Sequence, residues 1–111
     1  MTAPVNLGEF EQLILLAILR LRDDAYGVSI RAELADRVGR IVAPGALYTA
    51  LDRLETKSLI TSRMSDPTPQ RGGRAKRHVK VTAAGMEALT RSVQAYQRLL
   101  DGLNLARGAH A

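Results

Sequence analysis

Apolar residues near the start of the chain recur at intervals of three and four, at Phe10, Leu13, Ile14, Ala17, Ile18 and Leu21, while Leu15, Leu16 and Leu19 fill the faces between. This spacing predicts a helix buried on most sides. Asp23 and Asp24 then offer carboxylates to cap a second helix, whose inward face is Tyr26, Ile30, Leu34 and Val38 and whose stop is Gly39. A β-prone piece, Arg40 to Ala43, leads to Pro44, which suits the first position of a helix because its missing N–H would be unpaired there anyway. The third helix that follows turns Ala46, Leu47, Ala50, Leu51 and Leu54 inward. Gly45, Tyr48, Thr49, Asp52, Arg53 and Lys57 are left for other faces.

The period then changes from helical to alternating. Leu59 to Ser65 and Arg77 to Thr82 are β-prone runs, and in the second Val79 and Val81 alternate with His78, Lys80 and Thr82. Between them lies a loop containing the stretch PTPQRGGRAKR, from Pro67 to Arg77, so the pair is expected to form a hairpin with a long basic tip. Thr82 can cap a fourth helix in which Met86, Leu89, Val93, Tyr96, Leu100 and Leu103 fit the a and d positions of a heptad. An 18-residue helix would be about 27 Å long, more than so small a core can cover. A two-fold homodimer through this seam is expected, against the alternative that the face packs on its own domain.

The expected fold is mainly α with a small β-hairpin: a winged helix-turn-helix over residues 1–82, a dimerisation helix over 83–104 and a flexible tail over 105–111. At 111 residues the chain is one domain with a modest core, so oligomerisation would add to its stability.

Charge sharpens the functional reading. The chain has 16 Lys and Arg against 11 Asp and Glu, a net +5. Between Pro67 and Met86 lie Arg71, Arg74, Lys76, Arg77 and Lys80 with no acidic residue, so the whole excess sits in the hairpin. An anionic partner is expected. Gly72 and Gly73 permit a tight tip that can approach a DNA backbone, and Arg71, Arg74, Lys76 and Arg77 suit phosphates or a narrow minor groove. The Pro44-Gly45 start exposes N–H groups that can bind a phosphate. Tyr26, Tyr48, Thr49 and Arg53 are the remaining candidate DNA contacts, although Tyr48 could instead pack inward and Arg53 could pair with Asp52 or Glu55.

Four stretches carry a resemblance: Asp24-Ala25-Tyr26-Gly27-Val28-Ser29-Ile30, Pro44-Gly45-Ala46-Leu47-Tyr48, Leu51-Asp52-Arg53-Leu54-Glu55 and Thr82-Ala83-Ala84-Gly85, with Arg71-Gly72-Gly73-Arg74 between the last two. In this order and spacing the chain resembles the PadR family of bacterial transcriptional regulators from about Leu7 to Leu103, in its short form with a single C-terminal helix. The resemblance implies a sequence-specific DNA-binding regulator, commonly a repressor. Ser58 stands where the family commonly has Gly, Ala43 where it commonly has a capping Ser, and His78 and Val79 near its usual aromatic residues. Some short members bind flat drugs between tryptophans. This chain has no Trp, and although an effector is compatible with the resemblance, no residue pattern supports one.

Other functions fit less well. A membrane-surface adaptor would need its cations on an amphipathic helix, and these sit on a glycine-rich hairpin. A double-stranded RNA binder could use the basic wing, but a recognition helix with a dimer seam suits repeated DNA half-sites. No catalytic residue is assigned: with two His and no Cys, no nucleophile, base and orienting group assemble, and Asp23 and Asp24 are better explained as caps than as a catalytic pair. No cofactor or metal is expected. The absence of Cys fits a reducing compartment, the leader Met1 to Gly8 lacks a basic region, and no apolar run approaches the roughly 20 residues of a membrane span. The expected location is the bacterial cytoplasm.

Overall fold

The computed structural model describes residues 7–65 and 75–106. Helix α1, Glu9–Leu21, opens without a side-chain acceptor at Gly8; instead the Glu11 carboxylate accepts the Gly8 N–H at 3.0 Å. Ile14, Leu15, Ala17 and Ile18 are buried. The helix is less enclosed than its composition predicts, because Leu16 and Leu19 are 41% and 38% exposed on a face that no other element among the described residues covers.

A single 3-10 turn, Arg22–Asp24, follows, and α2 spans Gly27–Val38. Asp23 and Asp24 do not cap α2. The helix starts only after the extended Ala25 and Tyr26, and it is Ser29 Oγ that accepts the Tyr26 N–H at 3.0 Å and donates to the Asp24 carbonyl. Gly27, Ile30 and Leu34 face the core; Val38, expected there too, is exposed because α2 outruns the core by a turn. Arg40 to Ala43 form no strand. The buried Val42 instead accepts the Arg31 Nε–H on its carbonyl at 2.7 Å, which ties the loop to α2.

Helix α3, Pro44–Thr56, begins at the predicted proline and buries Leu47, Ala50, Leu51 and Leu54. Ala46 lies off this stripe and is exposed. The C-terminus closes as a Schellman motif: the Leu59 N–H reaches the Leu54 carbonyl at 3.0 Å and the Ser58 N–H reaches that of Glu55 at 2.9 Å, with Ser58 at φ +62°.

Strands β1, Ile60–Met64, and β2, Arg77–Val81, pair antiparallel, with Ile60 opposite Val81 and Met64 opposite Arg77. On its other edge β2 gives the Val79 N–H to the Ala25 carbonyl at 3.0 Å. Ile60 and Val79 join the core, together with Leu59. Thr82 caps α4, Ala83–Leu100, as its sequence position predicts: its hydroxyl accepts the Gly85 N–H at 3.0 Å and donates to the Ser58 carbonyl at 2.7 Å. Only Gly85, Ala88 and Leu89 of α4 are buried. A methyl on Gly85 would lie 2.2 Å from the Leu59 carbonyl oxygen and 2.7 Å from Val81 Cγ1, so a glycine is needed where α4 crosses the hairpin. The helix ends earlier than the heptad pattern predicts, because the chain turns at Gly102, φ +80°.

Candidate nucleic-acid interface

Opposite its buried side, α3 presents Gly45, Thr49, Asp52 and Thr56, spaced by four, three and four residues and all exposed. Its first turn is open, since Ala43 has no side-chain acceptor to cap it and a methyl on Gly45 would meet nothing within 4 Å. The amides that a helix leaves unpaired at its N-terminus therefore face solvent beside this stripe.

The flanks of α3 are tied to the rest of the domain. Tyr48 lies on the side toward α2, where a methyl on Gly27 would come 2.9 Å from its phenol oxygen. The ring is thus packed across the start of α2, although the residue is still partly exposed. On the opposite flank, Arg53 lies 3.7 Å and Lys57 2.9 Å from the carboxylate of Glu11, which is itself 5% exposed. Burial would push the Glu11 carboxyl up, but the Gly8 N–H, the Lys57 ammonium and the Arg53 guanidinium outweigh it and hold it below the usual value. Sequence reasoning missed Glu11. The available signal was a lone acid three, four and seven residues before Ile14, Leu15 and Ile18, on the stripe that faces the core.

The wing strands contribute differently from expectation. Arg77, expected to face phosphates, is only 20% exposed as a side chain and turns back onto α3, 2.9 Å from Asp52 and 3.6 Å from Glu55, with its Nε 3.0 Å from Ser62 Oγ. Ser62 in turn donates to Glu55. Two carboxylates within reach of one guanidinium explain the reversal. Lys76 is exposed, with its ammonium 4.4 Å from the centre of the Tyr26 ring. That half-buried ring also meets His78, with 5.4 Å between ring centres, and His78 Nδ1 lies 3.0 Å from the Asp23 carbonyl. Tyr26, Lys76 and His78 thus form one cluster where α2 meets the wing. Arg71, Gly72, Gly73 and Arg74 lie outside the described residues.

On α4, Met86, Val93, Tyr96 and Leu100 are exposed, with Val93 at 36% and Tyr96 at 53%. None of the residues from Thr90 to Leu100 is buried. Leu89, expected on the dimer seam, is instead in the domain's own core, since the first turns of α4 lie across the hairpin and α1. Leu103 is exposed but lies past the end of the helix, its N–H bonded to the Leu100 carbonyl at 2.9 Å. Among the described residues there is no group of three or more His, Asp and Glu placed to hold a metal, and no helix long and apolar enough to cross a membrane.

Helices α1 to α3 followed by a two-stranded hairpin, with the outer face of α3 uncovered, define a winged helix-turn-helix protein. Residues 15–91 match the transcriptional regulator PadR-like family. The chain belongs to that family, a family of DNA-binding transcriptional regulators. It is 38% identical over 79 residues to the transcriptional regulator Rv3488 of Mycobacterium tuberculosis, a match covering 69% of this chain and 67% of that protein. Its fold is similar to a PadR family transcription regulator from Clostridium difficile, with a TM-score of 0.73 and 27% identity over 91% of this chain and all of the other. It is also similar to a PadR family regulator from Eggerthella lenta, with a TM-score of 0.66 and 27% identity over 85% and 81% of the two chains.

Proposed function

We propose that this chain is a sequence-specific regulator that binds a two-fold operator as a homodimer and acts as a repressor. The uncovered stripe Gly45, Thr49, Asp52 and Thr56 carries the reading, because a helix with one face buried, both flanks tied down and the last face bare suits insertion into the roughly 12 Å major groove. Thr49 is the uncharged hydroxyl nearer the start of that face, and the open first turn of α3 takes a phosphate at its edge. Arg53, half-exposed beside Glu11, reaches the backbone or a guanine from the flank. Arg71, Arg74 and Lys76 follow the adjacent backbone, with Gly72 and Gly73 allowing close approach, and Tyr26 supports Lys76 from below.

The dimer is supported by the bare apolar stripe Met86, Val93, Tyr96 and Leu100, which runs beyond the part of α4 that packs on its own domain. Leu16 and Leu19 of α1 are further exposed apolar residues. Two α3 helices related by a two-fold axis would address half-sites about one helical turn apart. Where such an operator overlaps a promoter, a seated dimer represses by excluding other proteins from it.

Selection from random duplexes followed by footprinting tests this reading. The expected result is an inverted repeat protected on one face of the duplex. Enrichment of no sequence would overturn it.

A further inference from the structure

Asp52 lies in the middle of the bare face of α3, between Thr49 and Thr56, with its side chain 69% exposed. A carboxylate is a poor residue to set against a polyanion unless it meets a hydrogen-bond donor. Phosphates and sugars offer it no favourable partner, and among base edges in the major groove the amino groups of cytosine and adenine donate. The carboxylate is also oriented: Arg77 Nη1 holds Oδ1 at 2.9 Å, and the same guanidinium is fixed by Glu55 and Ser62, so Oδ2 is left as an acceptor on a preset side chain. Arg77 also offsets part of the negative charge that Asp52 and Glu55 would otherwise bring to the DNA. We infer that Asp52 is a specificity-determining residue that accepts a hydrogen bond from the amino group of a cytosine at one position of each half-site, and that Arg77 is the positioning residue that aims it.

This inference rests on the proposed insertion of α3 into the major groove. It has a second consequence: on random DNA Asp52 usually faces a base other than cytosine while the phosphates repel it, so it lowers non-specific affinity while sharpening the operator.

The test is selection from random duplexes with the wild type, Asp52→Asn and Asp52→Ala, read position by position. The wild type should prefer cytosine at one position of each half-site by roughly tenfold or more over the other bases. Asp52→Asn should move that position toward adenine, which an amide matches with N6 and N7. Asp52→Ala should flatten it, and both should leave the rest of the motif intact while binding random duplex several-fold more tightly. Arg77→Ala should blur the same position and Arg77→Lys should partly restore it, whereas a merely structural pair would weaken all positions alike. Circular dichroism checks that each variant is folded. A motif that is the same in all three position-52 proteins would overturn the inference and leave operator binding standing. A wild type that selects no motif would overturn both.

Discussion

The Nζ of Lys57, at the end of α3, lies 2.9 Å from Oε2 and 3.2 Å from Oε1 of Glu11, near the start of α1. One buried carboxylate thereby joins the entry of the first helix to the exit of the third, and it sits beside Arg53, a candidate DNA contact.

Glu11→Gln should lower stability by about 1–3 kcal/mol, since the amide can still accept the Gly8 N–H but no longer balances Lys57 and Arg53. The sign with pH follows from the lowered carboxyl pKa. The stabilisation is fully present above the unfolded value, about 4.3, and is lost as pH falls through the lower folded value. Urea unfolding between neutral pH and pH 3 should show a steeper acid loss for the wild type than for the variant. Parallel curves would remove Glu11 from the account of stability.

Gly85→Ala should cost about 3 kcal/mol or more, because the methyl would overlap backbone rather than a movable side-chain end. A urea midpoint close to that of the wild type would show that α4 can shift away from the hairpin freely.

Ser58→Gly should act in the opposite direction. Ser58 holds φ +62° at the Schellman turn, a conformation costing a side chain roughly 1 kcal/mol. Glycine there should raise the thermal midpoint by a few degrees. A lower midpoint would mean that Ser58 is stabilised in some other way.

Replacing Val93 and Leu100 with Asp should give folded monomers in sedimentation, with DNA affinity reduced because a monomer engages one half-site. Leu89→Asp should behave differently and unfold the domain, since that side chain is in the core. Dimers that survive the Val93 and Leu100 changes would refute the seam.

Changing Arg71 and Arg74 together to Ala should weaken operator and random duplex by similar factors. The slope of log affinity against log salt should become shallower by about 2 per subunit, about 4 for a dimer. Fluorescence anisotropy across a salt series measures this, and an unchanged slope would remove these arginines from the phosphate contacts.

Element order and type were legible because each depends on local signals: Pro44 at a helix start, Thr82 at a cap, alternation at Val79 and Val81, and the three-four spacing of Leu47, Ala50, Leu51 and Leu54. What escaped depends on neighbours distant in sequence. Nothing near Leu89 distinguishes it from Val93, and only the crossing of α4 over the hairpin places one inside and the other outside. Arg77 is indistinguishable in sequence from its basic neighbours, yet its partners, Asp52 and Glu55, are more than twenty residues away. Asp23 and Asp24 lie just before α2 in sequence, yet it is Ser29, inside the helix, that accepts the Tyr26 N–H. The sequence thus marks the candidate site as a region, while the pairing of Arg53, Lys57 and Arg77 with protein carboxylates depends on the three-dimensional fold.

The hydrogen bond from Val79 to Ala25 has a consequence for solubility. A two-stranded wing offers two bare edges, each a template on which another chain can add a strand. In this protein the linker before α2 occupies the β2 edge at Val79, and β1 carries the exposed Arg63 one residue from its end. Copies of this protein brought close together can thus keep these strands from zipping into a continuous sheet.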